Sequence, residues 1–436
     1  YDLSGGGSTQ TIYDIPYFNL EIDGTDATDV KTANSNLDID GTLTITNGNL
    51  TLNNIDLDLE GDFTMAAGSF APGNSAANNV AGIWNETGGL FQPAAGAFTF
   101  SGTGGKTIVQ NAGNFFNDLT VASGGTDKIS ANSAISVGGV FTNTNGTFDT
   151  EGNTVTVTGA TNIDGGILEI AAGTFDANDF DANGATVTFT DAGILKLGGG
   201  TVDLGTLDAT TNDGTVEYDF DGNQGVFNAT YHHLEIDNNT GTATAGSALG
   251  VEGNLTVTTG NLTLNNIALT LGGNFVLTSG TFVPGNADHT VAGDWTETVG
   301  TTFEATAGKF TFTADGKTIT TDAAGGNKFF NLFINPGGGN TINAGSDLDI
   351  DGELEVTSGT LAMAGQSADV AGITDIDGIL SMTNGTFTSA SSGSSEIAGT
   401  LTIGAGTYNA NGNLNSPGTI TFTDAGTLDL KSASPT

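Results

Sequence analysis

The sequence predicts an all-β chain, a single elongated right-handed parallel β-helix (β-solenoid) with about 20 residues per coil and essentially no α-helix. Three observations carry this expectation. A ten-residue unit recurs, its lead glycines fall about 20 residues apart, and apolar and polar residues alternate inside each copy. The type unit is GTLTITNGNL, starting at Gly41. Near copies start at Gly61, Gly82, Gly139, Gly253, Gly273, Gly293, Gly352 and Gly399.

The alternation sets the direction of the side chains. Leu37, Ile39, Leu43 and Ile45 point one way, and Asp38, Asp40, Thr42 and Thr44 the other. A repeat this short cannot bury its apolar face alone, so coils must stack, each bonded to the one before and the one after. Left-handed solenoids usually follow a six-residue sub-period, which this chain lacks. No stretch carries a capped 3.6-residue apolar period, hence the absence of helix. Asn-Gly and Asp-Gly pairs, such as Asn47-Gly48 and Asp351-Gly352, supply the corners.

A second landmark is longer: an apolar strand, a Gly-rich turn, a Gln-Thr-Ile or Lys-Thr-Ile step, then an aromatic shortly before a Leu-x-Ile or Leu-x-Val strand. Its leucines are Leu20, Leu119, Leu234 and Leu332. The first and third modules resemble each other, as do the second and fourth, so the chain reads as a duplication of roughly 215 residues. The expected parts are residues 1–217 and a continuous second copy, residues 218–436. Trp84 matches Trp295, Lys106 matches Lys317, and Pro72 matches Pro284. The shared place of the two tryptophans points to packing.

Composition limits function. There are 49 acidic residues against 8 basic ones, all lysine, for a net charge of -41. Nucleic-acid binding needs a basic face and is excluded on charge; an anionic membrane surface repels such a chain. No apolar run reaches membrane-spanning length, so membrane insertion is not expected. With no cysteine there are neither disulfides nor thiolate metal sites.

Calcium is the cofactor candidate. Asp38 and Asp40 precede Gly41, and Asp56, Asp58 and Glu60 precede Gly61, so stacked coils about 4.8 Å apart would bring like charges together. Asp347, Asp349 and Asp351 form a similar stripe, with Asp369 as a neighbour on the next coil. Either bridging calcium or a solvated, salt-screened face answers the repulsion. The second copy's match to the first stripe, NIALTLGG, has no acid. His232 and His233, with Asp237, are a weaker metal candidate, because Phe18 and Asn19 hold the same places in the first copy; His289 reads as a lone turn residue.

Catalysis finds little support. A uronate lyase needs arginine or lysine beside the reacting carbon and arginine is missing, while a hydrolase needs only two carboxylates that nothing here singles out. At the ends, Tyr1, Asp2 and Leu3 align with Tyr218, Asp219 and Phe220, and Leu428 and Leu430 align with Leu195 and Leu197. Neither end carries a helical or charged cap, so both are expected to meet a neighbour, either another copy or more of the same chain.

The module pattern, carried by Gln10, Thr11, Ile12, Tyr17, Asn19, Leu20 and Ile22 and again by Lys317, Thr318, Ile319, Phe329, Asn331, Leu332 and Ile334, resembles large secreted bacterial surface proteins with parallel β-helix stalks, of the adhesin and extracellular filament type. The resemblance implies an extracellular or cell-surface structural protein, a rigid acidic rod on the order of 100 Å long. Its expected partner is itself, as a head-to-tail homopolymer. The alternatives are a glycan- or calcium-binding surface module and, more remotely, a β-helical polysaccharide-degrading enzyme.

Overall fold

A computed structural model describes residues 2–3, 9–24, 28–389 and 394–431. The chain divides into two compact units, Tyr1–Val216 and Glu217–Thr436, and each is a parallel β-solenoid.

In the first unit, three short strands and three corners make a coil. Leu37–Ile39, Leu43–Ile45 and Asn49–Thr51 form one; Leu57–Leu59, Phe63–Met65 and Ser69–Ala71 form the next. Leu37 lies on Leu57, Leu43 on Phe63 and Leu50 on Phe70, all in parallel register. The 20-residue spacing of the sequence is thus the length of one coil. Stacking produces a sheet of eleven strands and one of five in the first unit, and sheets of ten and five in the second.

Period-two alternation decides which side is core. Leu37, Ile39, Leu43 and Ile45 are buried, while Asp38 and Asp40 are exposed. The corner glycines make the stacking possible. A Cβ at Gly61 would run into the carbonyl oxygen of Gly41, and one at Gly82 into that of Gly61, so this corner tolerates no side chain. The next corner needs glycine for a different reason: Gly48 and Gly68 adopt φ of 85° and 74°, the left-handed region.

Aromatic residues fill the middle of each unit. Trp84 stacks on Phe63 with ring centroids 3.9 Å apart, and Trp295 stacks on Phe275 at 4.0 Å. Both tryptophans are fully buried, so packing is their role, as their shared position predicts. The one helical turn among the described residues is Ala323–Gly325, a 3-10 turn in the longest corner of the second unit, capped by the Asp322 carboxylate.

Candidate functional site

Asp38 lies directly on Asp58 in adjacent coils, as the repeat predicts. Neutral donors take up much of the carboxylate surface around them: Asn79 donates to Asp58 Oδ1 at 3.0 Å, and Ser75 and Asn36 donate to Asp56. Asp38, Asp56 and Asp58, with Asn36 and Asn79, border a recess of about 420 Å³. Asp40 and Glu60 follow one register step on, both exposed, with backbone N–H groups donating to Tyr17 and Ile39 of the preceding coil.

The second stripe behaves differently. Asp349 lies on Asp369, but Asp351 forms an ion pair with Lys328 at 2.7 Å, and Asp347 accepts from the Ser367 N–H. Burial holds the Asp349 carboxyl above the usual carboxylate range; Lys328 opposes this, and Asp351 and Asp369 add to it.

A third acidic column has no counterpart in the sequence-based expectations. Glu355, Asp375 and Glu396 occupy the same register on three successive coils. Burial raises the Asp375 pKa, and Asp377, Glu355 and Glu396 raise it further. The signal was present in the sequence as single acids about 20 residues apart, hidden because each sits alone in its own strand.

Two buried glutamates clamp the long coils. Glu86 accepts from the Trp84 indole at 2.7 Å, from the Asn114 amide at 2.7 Å and from the Asn111 backbone N–H at 3.0 Å. Glu297 repeats the arrangement with Trp295 at 2.6 Å, Asn327 at 2.9 Å and the Asp322 N–H at 3.0 Å. Burial raises both carboxyl pKa values, and the donated hydrogen bonds offset part of the rise. Glutamates so fully engaged within the coil are structural groups.

The histidines correct one expectation and refine another. His289 is not a turn residue. It lies in the strand Asp288–Val291, 1% exposed, because its register places it beside Phe310 just as Asn78 lies beside Phe98 in the first unit. His233 opens the strand His233–Ala245 and is half-buried. Its Nδ1 accepts the Asn254 N–H at 2.8 Å, the bond that Asn19 Oδ1 makes with the Thr42 N–H at 2.8 Å. His233 therefore replaces a corner asparagine, with one ring nitrogen committed to that bond. His232 packs edge-on to it, and Asp237 accepts from the Thr259 hydroxyl.

Of the assembly residues, Tyr1 lies outside the described residues. The backbone of Asp2–Leu3 pairs with Asp23 and Gly24. At the other end, Leu428 lies on Tyr408 and Leu430 on Ala410; Leu430 is 62% exposed and Phe422 49% exposed, whereas Ile403 and Ala410, one coil earlier in the same columns, are buried.

Comparison with known proteins finds no match among protein families, curated proteins or solved structures. The repeat architecture therefore stands on its own geometry: a parallel β-solenoid.

Proposed function

We propose that this chain is an extracellular structural protein, an acidic β-solenoid shaft that serves as a filament subunit or as the stalk of a surface adhesin, without catalysis of its own. The observation that supports it best is the stacking of coil on coil through parallel strand pairs, as in Leu37 on Leu57, Leu43 on Phe63 and Leu50 on Phe70. Main-chain bonds, corner glycines and aromatic columns all join a coil to the next, so length is added without a new core. Such a body is suited to bearing load and holding distance. Its surplus of acids keeps it dispersed in salty media.

In this reading the joint is coil on coil. The strands Asn413–Asn415, Thr419–Phe422 and Thr427–Leu430, with Phe422 and Leu430 partly uncovered, offer main-chain groups and apolar surface to a further coil, a form of β-augmentation. Negative-stain microscopy of the purified chain tests this. Long uniform fibres that disappear when residues 1–12 are deleted, while circular dichroism stays unchanged, support a head-to-tail filament. Isolated short rods support a stalk, and compact globules would overturn both.

A second reading, calcium binding on the acidic faces, is favoured by the direct stacking of Asp38 on Asp58 and of Asp349 on Asp369. It predicts a saturable calcium isotherm that weakens in Asp349→Asn. Magnesium acting equally well would reduce it to general screening.

A further inference from the structure

The first and second units solve one bonding problem with different chemistry. In the first, the Leu57 N–H donates to Asn78 Oδ1 at 3.2 Å, and the Asn78 amide donates in turn to the Ser75 and Ala97 carbonyls. In the second, the Leu269 N–H donates to His289 Nδ1, also at 3.2 Å. Each bond crosses from one coil to the coil before it and closes the start of a core strand, Leu57–Leu59 or Leu269–Leu271.

An asparagine oxygen accepts at any pH, whereas an imidazole nitrogen accepts only while neutral. The bond fixes the tautomer: with Nδ1 accepting, the proton sits on Nε2, which is buried and has no hydrogen-bond partner among the described residues. A second proton would set an Nδ1–H against the Leu269 N–H and leave a buried cation with two donors and no acceptor. The ring lies against Phe310, centroids 4.5 Å apart, so it cannot turn outward without unstacking.

The surroundings do little to hold a cation. The strand Leu269–Leu271 brings no titratable side chain, and on the strand Lys309–Phe312 the charged group is Lys309. Asp288, on the histidine's own strand, is exposed and paired with Lys309 at 3.6 Å, while the Lys309 ammonium also sits over the Phe333 ring.

We propose that His289 is an acid-release pin, which holds the Leu269–Leu271 strand to the next coil while neutral and frees it on protonation, so that the second unit opens in acid at a coil where the first stays closed. Burial lowers the His289 pKa from 6.5 to about 4, with Asp288 opposing only in part. The folded pin therefore resists the proton that the opened strand accepts. Closure is complete above 6.5 and is lost progressively as pH falls toward 4.

The test is hydrogen exchange by mass spectrometry on the full chain, comparing peptides that contain Leu269 with peptides that contain Leu57, each corrected for intrinsic exchange. Between pH 7.5 and 4.5 the Leu269 peptide should lose about 70-fold in protection relative to the Leu57 peptide, the ratio set by the two pKa values. His289→Asn should abolish the difference, and Asn78→His should transfer acid sensitivity to Leu57. The two peptides tracking each other in the wild type would overturn the proposal. So would a difference that survives His289→Asn, or, should that variant fail to fold, an Asn78→His chain whose Leu57 peptide stays insensitive to acid.

Discussion

Lys31 lies where the core wants isoleucine. Three modules carry the same step, Gln10-Thr11-Ile12, Lys106-Thr107-Ile108 and Lys317-Thr318-Ile319, and the residue stacked on the first position of each is Lys31, Ile129 and Ile342. All three are buried; Lys31 is 0% exposed, and its ammonium has no hydrogen-bond partner among the described residues. Lysine and isoleucine carry the same number of side-chain carbons, so the apolar transfer free energy nearly cancels in an exchange. What remains is the cost of keeping an ammonium out of water, several kcal/mol for an unpaired ion. Lys31→Ile should therefore stabilise its coil by about 3 kcal/mol. In native-state hydrogen exchange this appears as at least about 100-fold more protection in a peptide covering residues 28–45. The reciprocal change, Ile129→Lys, should remove protection from its own coil on a similar scale. Unchanged or faster exchange in Lys31→Ile would mean that the ammonium is satisfied in the native chain, and the assignment of this column as apolar core would fail.

Two further predictions concern the clamp and the corner. Glu86→Gln leaves one acceptor oxygen where three donors converge, and should cost about 2 kcal/mol in urea unfolding at pH 7. Because the folded Glu86 pKa is raised above 4.5, the folded state holds that proton more tightly than the unfolded chain does; stability from this group rises as pH falls through the raised value, and the gap between wild type and Glu86→Gln should widen in acid. A gap independent of pH would show that Glu86 does not titrate in this range. Gly61→Ala should cost at least about 2 kcal/mol, since its Cβ meets the Gly41 carbonyl. Gly105→Ala, where the new methyl meets open space, should be near neutral, and equal melting temperatures for the two variants would argue against close stacking at the corner.

The coil and its core faces were legible in the sequence because one physical rule sets both: alternation fixes the side, and a bare corner fixes the period. Leu37, Ile39, Leu43 and Ile45 could be placed inside, and Gly41, Gly61 and Gly82 at one corner, from spacing alone. Polar groups that act across coils were not legible. Glu86 meets Asn114 only because the long corner folds back, a contact that no fixed spacing encodes. His289 follows Pro284 and Gly285 and has the look of a turn, and its equivalence to Asn78 emerges only once the register to Phe310 is known. Lys31 broke the alternation pattern, and a charged residue at an inward position reads as an exception until the columns of Ile129 and Ile342 are laid over it. The acids were placed on stacked coils correctly, but their partners Asn79, Ser75 and Lys328 depend on side-chain reach.

Direct measurement of the coil register tests the central claim. The chain contains no cysteine, so nitroxides can be placed uniquely on Thr44→Cys with Thr64→Cys, which are register partners, and on Thr44→Cys with Asn85→Cys, two coils apart. Backbones one coil apart lie about 4.8 Å from each other, so the first pair should show strong dipolar and exchange broadening in electron paramagnetic resonance and the second weaker broadening at about twice that separation. Narrow, uncoupled spectra from the Thr44 and Thr64 pair would contradict in-register stacking of the 20-residue coil.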